Sequence, residues 1–139
     1  MPLWKTGGSG EQGENIRARR IRERWHTHQG EDPVELIRNK RWVEAAEAFI
    51  ELSKDQLATP PEARQYRENT ATCLAIEYGI RHQFAKRTEA EIDQKAEQLL
   101  KGHDEQLNHY EAAKITFKEP PKRTSAMRIL SHSYGIKAD

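Results

Sequence analysis

Three times in this chain a capping residue stands three positions ahead of a glutamate: Asp32-Pro33-Val34-Glu35, Thr59-Pro60-Pro61-Glu62, and Thr88 with Glu91. In such a box the Asp or Thr oxygen accepts an N–H of the first helical turn, while the Glu reaches back to the N–H of the capping residue. Proline at the first helical position strengthens two of the boxes, because its fixed φ suits a helix start and the N–H it lacks would be unused there. Helices therefore begin at Pro33, at Pro60 and just after Thr88.

Apolar residues recur at helical spacing behind these starts and before the first of them. From Asn15 to about His28, Ala18, Ile21 and Trp25 form one narrow stripe, which Gln29-Gly30 ends. After Pro33, Leu36, Val43, Ile50 and Leu57 recur every seven residues, in one long helix or in two with a turn near Asn39-Lys40. The helix from Thr59 carries Tyr66, Thr70, Cys73, Ile80 and Phe84 on its stripe. The one from Thr88 carries Ile92, Ala96, Leu99, Leu107, Tyr110 and Phe117, with Gly102 as a point of division. Two adjacent prolines in Lys118-Glu-Pro-Pro-Lys-Arg123 stop helix growth, so a last short helix is expected from about Ser125 to Tyr134.

No stretch alternates with period two, and valine occurs only twice, so a sheet has no raw material. The fold class is all-α: an antiparallel helical bundle of five to six helices, formed by residues 15–139 as a single domain. Residues 1–14 contain four glycines between 6 and 14 and little to bury, which makes them a flexible N-terminal arm.

The segment Arg41-Trp42-Val-Glu-Ala45-Ala-Glu-Ala-Phe49-Ile-Glu-Leu52 resembles the second helix of a tetratricopeptide repeat over about one repeat, with Lys40 where that family usually has glycine. The resemblance implies a tetratricopeptide-like helical array, in which Ala45 lets a neighbouring helix approach while Trp42 and Phe49 fill the groove on either side.

A formal net charge of +1 leaves only local charge clusters to attract nucleic acid or an anionic membrane. Cys73 is the only cysteine, which excludes an internal disulfide and a thiolate zinc cluster and suits a reducing compartment. No run approaches the ~20 apolar residues of a membrane span, and the N-terminal residues lack the apolar stretch of a secretory signal. A cytoplasmic protein without membrane contact is expected.

Charge does cluster in Asn15-Ile-Arg-Ala-Arg-Arg-Ile-Arg-Glu-Arg-Trp25, with five arginines and one glutamate. Guanidinium forks at helical spacing reach successive phosphates, and an indole offers a stacking face. The segment resembles the arginine-rich helical motifs of viral RNA-binding proteins, from which it departs at Ile16, Ile21 and Glu23. Arg17, Arg19, Arg20, Arg22, Arg24 and Trp25 are thus the candidate contact residues. The competing reading docks Ala18, Ile21 and Trp25 on the core and leaves the arginines solvated or paired with acidic helices.

Other motifs carry less. Gly7-Gly8-Ser9-Gly10 has neither a preceding strand nor the lysine of a phosphate loop. His26, His28, and the Glu105–His109 pair do not converge as three metal ligands; the latter two read as an exposed pair one helical turn apart. Glu119 to Arg123 reads as a linker or as a short polyproline ligand. Met127 to Ile136 resembles the first helix and turn of a helix-turn-helix. With no nucleophile beside a base, no catalytic, cofactor or metal residue is assigned. The expectation is a non-enzymatic helical adaptor whose main partner is another protein. Its alternatives are RNA or DNA binding through the helix at residues 15–28, a helical subunit of a nucleoprotein assembly, and self-association.

Overall fold

A computed structural model describes residues 14–84 and 87–136, without the side chains of residues 81–84. These residues form α1 (Ile16–Trp25), α2 (Pro33–Arg38), α3 (Trp42–Ser53), α4 (Pro60–Phe84), α5 (Glu89–Leu99), α6 (Asp104–Phe117) and α7 (Pro120–Ser133), with no strand among them. The fold is all-α.

The capping boxes start helices where the sequence places them. Asp32 accepts the Glu35 N–H at 3.0 Å with Pro33 in the first turn, while the Glu35 carboxylate turns to Arg22 and Arg38 instead of reaching back to Asp32. Thr59 and Glu62 cap each other, Glu62 N–H to Thr59 Oγ1 at 3.3 Å and Thr59 N–H to Glu62 Oε1 at 3.1 Å. Thr88 and Glu91 repeat this reciprocal pattern.

Residues 33–57 form two helices rather than one. The Lys40 N–H bonds the Ile37 carbonyl and the Arg41 N–H bonds the Leu36 carbonyl, both at 2.9 Å, with Lys40 in the left-handed region at φ 58°. This is a Schellman termination with lysine where glycine is usual. Leu36, Val43 and Ile50 of the seven-residue series are buried, whereas Leu57 lies beyond α3 and is exposed.

Gly102, at φ 84°, divides α5 from α6. The expectation that the last helix begins near Ser125 is corrected: α7 starts at Pro120. Both prolines sit in its first turn, where backbone N–H groups have no intrahelical acceptor in any case. The tandem prolines therefore open a helix instead of forming a linker or a polyproline ligand.

The central element is α4, and cross-helix bonds give the direction of its neighbours. Phe49 stacks on Tyr66 at 6.2 Å between centroids, and Thr70 Oγ1 donates to the Ala46 carbonyl at 3.1 Å, so α3 runs antiparallel to α4. Arg87 joins Glu44 of α3 at 2.9 Å to the buried Glu77 of α4 at 3.4 Å. Along the other side, Arg64 bonds Glu105, Thr72 meets His109 at 3.2 Å, and Gly79 abuts Phe117. Both series ascend, so α6 runs parallel to α4, and α5 is the return crossover that permits it. Antiparallel and parallel neighbours thus both pack on α4 within the all-α fold. This packing also separates Glu105 from His109, each of which bonds a residue of α4. Asp93 of α5 ties the crossover down, accepting from Tyr110 Oη at 2.7 Å and Lys114 Nζ at 2.8 Å.

α7 returns antiparallel to α4, from Arg123 at Gly79 to Tyr134 at Asn69. The buried Arg123 guanidinium donates to the Gly79 carbonyl at 3.0 Å and to the Phe117 carbonyl at 3.4 Å, supplying a donor to the last carbonyl of α6. Gly79 costs helix propensity, but a Cβ at this position would stand 2.0 Å from the Phe117 oxygen.

Gly79→Ala should destabilise the protein by about 1–3 kcal/mol, the usual scale of overpacking, despite the better helix propensity of alanine. Urea denaturation checks this, and an unchanged or raised midpoint would show that α4 and α6 do not need the close approach.

Candidate interaction site

α1 is a ten-residue strut whose position is set by side chains at its two ends. At its start Asn15 caps the helix, accepting the Ala18 N–H at 3.1 Å. The same residue clasps the end of α7, with Nδ2 donating to the Ser133 carbonyl at 2.8 Å and the backbone N–H to the Tyr134 carbonyl at 3.1 Å. At its other end Trp25 donates from Nε1 to the Gly30 carbonyl at 2.9 Å and stacks on His28, whose Nε2 meets Asp55 Oδ2 at 3.2 Å. The Leu57 N–H, then His28, hold the Asp55 carboxyl below its usual value against the effect of burial. Ala18, Ile21 and Trp25 all point into the core.

The arginines of α1 divide into two groups. Arg22 grips Glu14 with two bonds of 2.7 Å and also reaches Asp32 at 2.8 Å and Glu35 at 3.3 Å. Glu14 further accepts from Arg38, and its side chain is only 2% exposed. Sequence composition groups Glu14 with the arm, yet this one carboxylate collects α1 and α2. The Glu14 bond, outweighing burial, raises the Arg22 guanidinium above its ordinary value. Arg24 lies 2.7 Å from Glu62, with its side chain 16% exposed.

The second group faces outward. Arg20 reaches Glu62 at the longer distance of 3.4 Å with its side chain 54% exposed. Arg17 and Arg19 are exposed and make no ion pair among the described residues. The six sequence-derived contact residues are therefore not one row: Trp25, Arg22 and Arg24 serve the fold, while Arg17, Arg19 and Arg20 remain open.

Arg17 and Arg20 border a cleft of about 330 Å³ between α1, the start of α4 and the end of α7. Its other walls include Glu62, Gln65, Tyr66 and Tyr134. Burial would raise the Glu62 carboxyl, but the Thr59 bonds and the Arg24 guanidinium outweigh it and hold the group at about 2. Burial lifts the Tyr134 hydroxyl well above its usual range, with the Asn69 bond and nearby Arg17 acting in the opposite direction. Gln65 Nε2 donates to Asn69 Oδ1 at 3.0 Å, and Asn69 Nδ2 donates to Tyr134 Oη at 2.5 Å, so Asn69 links two residues of the cleft wall.

Sequence reasoning missed Gln65, Asn69 and Tyr134 as site residues: Gln65 and Asn69 pair within α4, and only the bond from Asn69 to Tyr134, 65 residues along the chain, joins them to the end of α7. Glu62 was visible only as a capping residue. Among the described residues no three His, Cys, Asp or Glu side chains could hold a metal ion. No described helix is long and apolar enough to cross a membrane. Residues 1–13, which hold nearly all of the expected N-terminal arm with Gly7 to Gly10, lie outside the described residues. No family model, curated protein or solved structure matches this chain.

Since the Glu62 carboxyl is depressed from 4.5 to about 2, its contribution is fully present above pH 4.5 and is lost as pH falls toward 2. Glu62→Gln should lower stability at pH 7, and the gap from wild type should close across that acidic window. Denaturant midpoints at pH 7 and pH 3 measure it; a gap of constant size would mean that the Glu62 charge does not hold α1.

Proposed function

We propose that the protein is a non-enzymatic helical binding protein that engages another protein through the open arginine edge of α1 and the cleft beside it. The partition of the arginines carries this reading. Nucleic-acid affinity grows with the number of phosphates neutralised, so a helix with few uncommitted cations binds it weakly. With Arg22 hydrogen-bonded to Glu14, Asp32 and Glu35, and Arg24 ion-paired with Glu62, α1 offers only Arg17, Arg19 and the loosely held Arg20. The buried, His28-covered Trp25 is a poor platform for a base.

A protein interface asks for something different: a few arginines, apolar surface beside them and a walled recess. Ile16, exposed next to Arg17, supplies the apolar edge. Cys73, the most nucleophilic residue type present, is fully buried and its thiol is pushed up by burial, which supports a packing role. One such buried thiol suits a reducing, cytoplasmic setting.

The test is capture from native lysate with and without nuclease, using wild type and the triple variant Arg17→Glu, Arg19→Glu, Arg20→Glu. A protein that survives nuclease and is released by the triple variant is expected. Nuclease-sensitive RNA or DNA released by the same variant would overturn the reading in favour of nucleic-acid binding.

A further inference from the structure

Resting on that reading, we propose that the cleft between α1, α4 and α7 is a carboxylate-binding site that takes an acidic side chain or a chain terminus of the protein partner. Its volume, about 330 Å³, lies at the small end of ligand pockets, which span roughly 300–1,000 Å³, so it admits one compact group.

Two guanidiniums stand at its mouth. Arg24 holds Glu62 at 2.7 Å while Arg20 is 3.4 Å away, so Arg20 turns to an incoming anion without leaving Glu62 unpaired. Arg17 has no anionic partner among the described residues, yet its charge acts on the Tyr134 hydroxyl. That hydroxyl already accepts from Asn69 at 2.5 Å, and its own proton is the group left for an acceptor. Arg17, Arg20 and Tyr134 together thus offer charge-assisted hydrogen bonds to one oxyanion.

The remaining walls select among oxyanions. Glu62 is ionised at neutral pH and lines the same cleft, so a second negative charge on the ligand is repelled; a monoanionic carboxylate fits better than a phosphate dianion. Ile21, Pro61 and Tyr66 supply apolar surface for the methylene stem that carries a carboxylate.

Fluorescence anisotropy with labelled peptides tests this on the full chain. The probes are amidated hexaglutamate, a Gly-Ser hexapeptide with a free C-terminus, and the same Gly-Ser peptide amidated. Binding of either of the first two, and not of the third, is expected, and which of them binds identifies side chain or terminus as the source. Arg17→Glu with Arg20→Glu should weaken binding at least tenfold, as loss of charged hydrogen bonds implies, while Arg19→Glu should stay within about twofold. Tyr134→Phe, which keeps the ring, should weaken it several-fold with the helical circular dichroism unchanged. Absence of binding by both carboxylate peptides, an Arg19→Glu effect as large as the double change, or competition by inorganic phosphate as strong as by acetate would overturn the proposal. If the peptides fail while the triple arginine variant still releases a protein from lysate, the cleft assignment falls and the protein-binding reading stands.

Discussion

The structure depends on how closely other helices approach α4. This helix of 25 residues, about 37 Å long, has Ala71, Cys73, Leu74, Ala75 and Ile76 fully buried. Small side chains allow α3 to press against one side, where Thr70 reaches across to the Ala46 carbonyl. On the other side Gly79 leaves no room for even a methyl group beside the Phe117 carbonyl. The buried Arg123 then serves both helices, supplying donors where their carbonyls would otherwise face an apolar interior.

This packing creates the candidate site. Because α5 crosses back, α6 lies parallel to α4, and α7 must return toward the start of α4. Tyr134 therefore arrives beside Asn69, and Asn15 binds the end of α7, bringing the first and last described segments together over the Thr59–Glu62 cap. Glu62 joins these levels: it caps α4, takes Arg24 and touches Arg20. A capping residue thereby positions the helix that carries the open arginines.

Much of the fold was legible because its signals are local. Capping boxes need only four adjacent residues, and the stripes on α1 and α4 follow from period alone. The start of α7 is hidden in the sequence because a proline pair breaks a helix interior, although the first turn of a helix tolerates two missing donors. The two-helix form of residues 33–57 is one of two readings the sequence allows, with its turn near Asn39-Lys40, because a lysine does not by itself call for the left-handed conformation that Lys40 takes. The parallel course of α6 depends on Gly79, Arg123 and Asp93 meeting partners far away in sequence. For the site, the arginine cluster itself was visible, but its division was not. Glu14 and Glu62 lie in an arm-like and a capping context, and only the tertiary arrangement turns them toward Arg22 and Arg24.

The central claim is that Arg22 and Arg24 of α1 are held by carboxylates of the fold while Arg17 and Arg19 face solvent without an ion pair among the described residues, with Arg20 between the two. Nuclear magnetic resonance of the arginine Nε–H groups tests it most directly, because a guanidinium held by carboxylates rotates and exchanges its protons slowly while a solvated one does not. The account predicts persistent, slowly exchanging signals for Arg22 and Arg24 at neutral pH, and rapidly exchanging ones for Arg17 and Arg19. Equal behaviour of all five arginines of α1 would contradict it.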